Sequence, residues 1–215
     1  MLRLRLRLRL RLGLGLGFLA VVSVCVVTVE SRCSGGCDLA LGSYYVWGDS
    51  NLSFIGEVMA VRVAEIVSYN PDEIPNQDYV QTDVRINIPF RCDCINNEFL
   101  GRVFRYSVRS GDTYERIATL YYSNLTTAAW VQKFNSYGAS SIPDNATVNV
   151  TVNCSCGDST VSENYGLFIT YPLRTGDTLE SVASAANLST DLVRSYNRNA
   201  NFSAGSGLVY IPGKV

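Results

Sequence analysis

The sequence predicts an α+β chain of three βααβ modules packed together and stapled by disulfides in Cys-x-Cys connectors, and three observations carry that prediction. Six of the seven cysteines fall in close pairs, Cys33 with Cys37, Cys92 with Cys94 and Cys154 with Cys156, and each gap between pairs holds one small module. Tyr106-Ser-Val-Arg-Ser-Gly-Asp-Thr-Tyr-Glu-Arg-Ile-Ala118 aligns with Tyr171-Pro-Leu-Arg-Thr-Gly-Asp-Thr-Leu-Glu-Ser-Val-Ala183 at a constant offset of 65, which marks a duplication. Ile74-Pro75 and Ile142-Pro143 each precede a β-branched alternation that ends at a Cys-x-Cys pair, so the same unit closes twice in the same way.

Residues 1–31 read as a secretory signal. Arg3, Arg5, Arg7, Arg9 and Arg11 supply a basic start, Leu14 to Val27 an apolar run, and Val29 and Ser31 the small residues before a cleavage site near Arg32. The apolar run is shorter than the ~20 residues of a membrane span. Gly13-Leu14-Gly15-Leu16-Gly17 has no strand before it and is set aside as a phosphate loop. Cys25 leaves with the signal, so the mature cysteine count is even, as a secreted disulfide framework requires. Cleavage removes five Arg and one Glu from 18 basic and 19 acidic residues, leaving 13 and 18, a balance that excludes nucleic acid as a partner.

The first module, expected over 32–94, has a strand at Ser43 to Val46, helices near Asn51 to Ala60 and Val63 to Tyr69, then Asn70-Pro71 and a strand at Val84 to Ile88. It is a worn copy, with Trp47-Gly48-Asp49-Ser50 in the turn where the others have Gly-Asp-Thr. In the second module, 95–156, a strand at Phe104 to Val108 leads to a helix with apolar Tyr114, Ile117, Ala118 and Tyr121. A second helix follows the start signal Asn124-Leu125-Thr126, with Trp130, Val131 and Phe134 on its stripe, and the module closes with Thr147 to Val152. The third, 157–215, repeats this with Leu167 to Leu173, a helix, Asn187-Leu188-Ser189, a stripe of Leu192, Val193 and Tyr196, and a strand at Gly207 to Ile211. Modules of about 60 residues bury little surface alone, and a disulfide across a loop of that length contributes about 4 kcal/mol in the chain-entropy model.

Asp112 with Glu115, and Asp177 with Glu180, invite comparison with the paired carboxylates of a glycosidase. A helix-start capping box explains them better, because the pattern recurs at the start of each copy, with Gly111 and Gly176 supplying the permissive turn before it. The chain has no histidine, which excludes His-based triads and His zinc ligation, and no cofactor or metal is implied. Seven Asn-x-Ser/Thr sequons occur, at Asn51, Asn124, Asn145, Asn149, Asn153, Asn187 and Asn201, and Asn153, beside a cysteine, is the poorest acceptor.

Tyr106-x-Val-Arg-x-Gly-Asp-Thr-x-Glu, followed by Asn124-Leu-Thr-Thr, Ile142-Pro143 and a closing Val-Asn-Val, resembles a LysM module. Three such modules separated by Cys-x-Cys resemble the ectodomain of plant LysM receptor-like kinases. Cys37-Asp-Leu-Ala-Leu-Gly-Ser-Tyr-Tyr-Val46, Tyr165-Gly-Leu-Phe-Ile-Thr-Tyr-Pro-Leu-Arg174 and Val209-Tyr-Ile-Pro-Gly213 are similar to the branch of chitin-elicitor receptor kinases and kinase-active Nod-factor receptors. The resemblance implies disulfides Cys33–Cys94, Cys37–Cys156 and Cys92–Cys154. It also implies binding of N-acetylglucosamine chains, as chitin oligomers or lipo-chitooligosaccharides, at the cell surface in immunity or symbiosis, with a LysM co-receptor as partner. Receptors of this kind continue into a membrane helix and a kinase, whereas this chain stops at Val215 without the motifs of a kinase, so the chain itself is expected to be no enzyme. The alternatives are a secreted chitin scavenger or decoy that does not signal and, less favoured, a LysM-bearing glycoside hydrolase.

A neutral sugar chain needs fixed backbone amides and carbonyls and an apolar surface for its acetyl methyls. In the second module those are expected from Arg109, Ser110, Gly111, Asp112, Thr113 and Tyr114 on one loop and Ala139, Ser140, Ser141, Ile142 and Pro143 on the other, with Ile142 as the apolar ledge. The competing site is in the first module, Trp47, Gly48, Asp49 and Ser50 with Asp72, Glu73, Ile74 and Pro75. The third module lacks an Ile-Pro ledge between Asn199 and Gly207 and is expected to bind poorly.

Overall fold

The computed structural model describes residues 33, 35–139, 141–157 and 165–213, so the expected signal segment lies outside the described residues, as does Ser140. Strand β1 (Cys37–Tyr45), helices α1 (Leu52–Val58) and α2 (Val63–Ser68) and strand β2 (Arg85–Ile95) form the first module. The second has β3 (Phe99–Ser107), a single turn α3 (Tyr114–Arg116) that widens into a π turn over Ile117–Tyr121, α4 (Ala128–Lys133) and β4 (Thr147–Asn153). The third has β5 (Leu167–Pro172), α5 (Leu179–Ala185), α6 (Thr190–Tyr196) and β6 (Leu208–Gly213). The strands run past the expected limits because pairing continues through the cysteine connectors, where Asp93, Cys94 and Ile95 face Gly101, Leu100 and Phe99.

Each module contributes one antiparallel hairpin, and the hairpins join in a six-stranded sheet of order β4-β3-β2-β1-β5-β6. The first module is therefore the centre. Antiparallel β2–β3 pairing attaches the second module to it, and a short parallel contact, Leu41 opposite Ile169 and Gly42 opposite Thr170, attaches the third.

The repeat is written most clearly in hydrogen bonds. Asn70, Asn135 and Asn197 follow the second helix of each module, and each side chain donates back to a helix carbonyl, Ile66, Val131 or Val193, at 2.7–2.8 Å. Each also exchanges two bonds of 2.6–2.8 Å with the backbone of one closing-strand residue, Asn87, Asn149 or Tyr210. The amide thus stands in for a missing strand neighbour and ties the helix end to the closing strand. The worn first copy keeps this device even though its turn sequence has changed.

The turns before the first helices correct the capping assignment. The helix N-caps are Thr113 and Thr178, which accept from the backbone N–H of Arg116 and Ser181; the reciprocal capping box pairs Thr178 with Ser181. Asp112 and Asp177 close the preceding turn instead, accepting from the N–H of Arg109 and Arg174 at 2.8 Å. Gly111 and Gly176 take φ of 81° and 94°, and Asp49 occupies the equivalent left-handed position at 66°, with Asn51 as the cap. Asp49 therefore matches the glycine of Gly-Asp-Thr and Ser50 its aspartate.

Modules one and two share one apolar core that runs from Ala40 to Cys154, whereas Leu173, Val182, Ala183, Val193, Phe202, Val209 and Ile211 make a separate core in the third. Disulfides tie Cys33 to Cys94, Cys37 to Cys156 and Cys92 to Cys154, with Cα separations of 5.7–5.9 Å. Strand register places Cys37 opposite Cys92, yet both reach across to the second module, to Cys156 and Cys154, rather than to each other.

Candidate functional site

In the second module the turn from Arg109 to Asp112 is held from below. The Tyr106 hydroxyl donates to Asp112 Oδ2 at 2.6 Å, and burial, reinforced by that carboxylate, raises the hydroxyl's pKa far above its ordinary value. The Asp112 N–H donates back to the Arg109 carbonyl at 3.0 Å, which locks the turn from both sides. Ser110 and Gly111 stand exposed at its tip, and among the described residues their backbone N–H and C=O groups have no protein partner.

Tyr114 is buried to 2% exposure, so it cannot touch a ligand as expected; its hydroxyl instead donates to the Tyr137 carbonyl at 3.0 Å and fixes the second loop beside the first. Tyr137 carried no signal in the sequence, because its part in the site is a main-chain carbonyl. Arg109 also turns away. Its guanidinium sits 3.2 Å from both carboxylate oxygens of Glu57 and 5.0 Å over the Phe54 ring, bridging to the first module. On the second loop Ala139, Ser141 and Pro143 are exposed, while Ile142 is half-buried, one side on the core and the other open.

The first-module alternative is not brought together. Ile74 is 1% exposed and belongs to the core, so it offers no ledge, although Asp72, Glu73 and Pro75 around it are exposed. Gly48 and Asp49 are exposed, but Trp47 packs against Phe54 and Tyr121 at ring-centroid distances of 5.8 and 6.2 Å and donates its N–H to the Tyr44 hydroxyl. The open side of Trp47 lines a cleft of about 470 Å³ between all three modules, whose walls include no residue of 72–75. In the third module Gly205 packs so tightly on Thr175 that an added Cβ would lie 3.1 Å from its hydroxyl, which closes the space between the two loops, and the buried Phe202 fills the core in place of an open ledge.

The sulfurs of Cys37, Cys92 and Cys156 lie within 4.8 Å of one another, but each belongs to a disulfide, leaving no thiolate for a metal. Six of the sequon asparagines are exposed; Asn153 is half-buried with its Oδ1 enclosed.

LysM domain models match residues 106–141 and 169–212. The chain is 45% identical over 203 residues to LysM domain receptor-like kinase 3 of Medicago truncatula, across 92% of this chain and 33% of that protein. It is 45% identical over 194 residues to Chitin elicitor receptor kinase 1 of Arabidopsis thaliana, across 86% of this chain and 31% of that one. The chain thus spans about a third of the length of these relatives. The crystal structure of the LYK3 ectodomain superposes with a TM-score of 0.81 at 47% identity, covering 85% of this chain and 92% of that one. The ectodomain of a receptor like kinase gives 0.79 at 44%, covering 84% and 94%. With the fold, the repeated turns and these matches in agreement, the chain belongs to the family of plant LysM receptor-like kinases, whose extracellular part it matches.

Proposed function

We propose that the second module reads N-acetylglucosamine oligomers, as chitin or lipo-chitooligosaccharides, for a cell-surface receptor kinase with a LysM co-receptor in immunity or symbiosis signalling. One observation carries the reading: the Tyr114–Tyr137 bond holds the unpaired backbone groups of Ser110 and Gly111 beside the half-open Ile142. Fixed amides and carbonyls suit acetamides and hydroxyls, and the open face of Ile142 suits an acetyl methyl. A related protein from Arabidopsis bears the name of a chitin elicitor receptor, which agrees with that ligand class.

The experiment is a calorimetric titration with chitin oligomers. Ile142→Asp places an unpaired charge against the acetyl group at a cost of several kcal/mol, and affinity should fall by more than about a hundredfold. Because Ile142 also packs on the core, the variant's thermal melt is recorded beside the titration. A folded Ile142→Asp protein with unchanged affinity, together with a Trp47→Ala protein that loses it, would move the site to the first module. Long oligomers incubated with the protein should keep their length, and shortening abolished by Asp112→Asn would restore the glycosidase reading.

A further inference from the structure

The cleft between the modules is unrelated to the two loops above, and what surrounds it points to an occupant. Asn124 lies on its wall, exposed, and is the first residue of Asn124-Leu125-Thr126; the other six sequon asparagines are not on that wall. The chain here is fixed in place, since the Ser123 hydroxyl accepts from the Tyr45 N–H and donates to the Tyr45 carbonyl, both at 2.9 Å. Ser123 and Asn124 take φ of 49° and 62°, a pair of left-handed residues that suits asparagine. On the same wall Thr126, the third residue of the sequon, is 4% exposed, its Oγ1 enclosed by the protein.

The rest of the lining is neutral apart from Arg174. That guanidinium lies 3.4 Å over the Tyr45 ring, which occupies it, and no carboxylate faces the space. An indole, several hydroxyls and exposed main chain at Ser206 and Gly207 make a surface for a sugar with one apolar face and many polar edges.

We propose that the first sugars of an N-glycan on Asn124 fill this cleft and hold the 205–208 segment of the third module against the first two. The core of an N-glycan begins with two β-1,4-linked N-acetylglucosamines, so its rings can lie on Trp47 while its acetamides and hydroxyls face the exposed Ser206 and Gly207. A free N-acetylglucosamine disaccharide has the same chemistry; tethering favours the chain's own glycan, because attachment at the wall makes the sugar's effective concentration high. A glycan seated here does not depend on which ligand the second module takes.

The test uses the intact glycosylated protein secreted from a eukaryotic host. Glycopeptide mapping should find Asn124 occupied, and its glycan should resist amidase release from the native protein while that on Asn187 is released. Amide exchange over 203–208 should rise about fivefold in Asn124→Gln and in Thr126→Ala, and stay at the wild-type level in Asn187→Gln and in Thr126→Ser, which keeps the sequon. Thr126→Ala removes the glycan without altering the left-handed Asn124, so agreement between the two variants separates loss of sugar from local strain. An unoccupied Asn124, a glycan as freely released as that on Asn187, or unchanged exchange in both sequon-less variants would overturn the proposal. Protection of 203–208 by added free disaccharide in the fully glycosylated protein would also overturn it, by showing that the cleft is open.

Discussion

Asn70 shows how much one side chain can hold. It is 1% exposed, and its amide donates to the Ile66 and Asn87 carbonyls while its carbonyl accepts from the Asn87 N–H. The Ile66 carbonyl keeps the Tyr69 N–H at 3.2 Å, but Asn70→Ala strips both Asn87 backbone groups of their partner, and since each such group costs on the order of 1 kcal/mol or more, the expected loss is about 2 kcal/mol in chemical denaturation. Asn70→Asp should be worse than alanine, because a carboxylate oxygen would then face two carbonyl oxygens that need a donor. An Asp variant as stable as wild type would show that Asn70 is not the clamp described. Asn135, more exposed, should lose less by the same measurement.

At the scale of elements, β2 and β5 are not hydrogen-bonded neighbours, yet Arg85 connects them. Its guanidinium donates to the Pro172 carbonyl at 2.8 Å, lies 3.9 Å over the Tyr171 ring and sits 3.8 Å from Asp177, while reaching Ser43 on β1. A planar cation can stack and donate along its edge at once, which an ammonium cannot. Arg85→Lys should therefore raise amide exchange in β5 and β6 and leave β3 and β4 unchanged, and equal exchange in wild type and variant would remove Arg85 from the interface. The elements themselves were legible because helix and strand periodicities are local and the second and third copies share their sequence. The π turn over Ile117–Tyr121 was not, since it answers tertiary demands: the Tyr121 carbonyl accepts from Tyr44 and the Tyr122 hydroxyl donates to the Val58 carbonyl. Equal Ile-Pro pairs also misled. Ile74 comes four residues after its clamp asparagine and folds back with its N–H on the Asn70 carbonyl, whereas Ile142 comes seven after Asn135 and stays half-open.

For the whole molecule the uneven division of core decides how it comes apart. Two modules share one apolar cluster and the third keeps its own smaller one, joined by a two-residue strand contact and Arg85, while the Cys37–Cys156 bridge anchors the connector that leads into it. The division of the core was not visible in the repeat, because which cores merge depends on contacts such as Leu125 against Gly42, where an added Cβ would meet the leucine at 3.3 Å. The bridge closes a loop with a sequence separation of 119, and the chain-entropy model assigns it about 5 kcal/mol. Replacing Cys37 and Cys156 together by serine removes that constraint while Cys33–Cys94 and Cys92–Cys154 remain. Of the two tryptophans Trp130 packs on Phe99 and Phe134 within the second module, whereas Trp47 also borders the third, so fluorescence is read in a Trp47→Phe background, where it follows the second module alone. The double variant should lose amide protection over β5 and β6 at denaturant concentrations where tryptophan emission is still native, whereas the wild type should lose both closer together. If protection and emission fall at one midpoint in the variant, the third module is not a separate cooperative unit, and the shared sheet rather than the divided core governs unfolding.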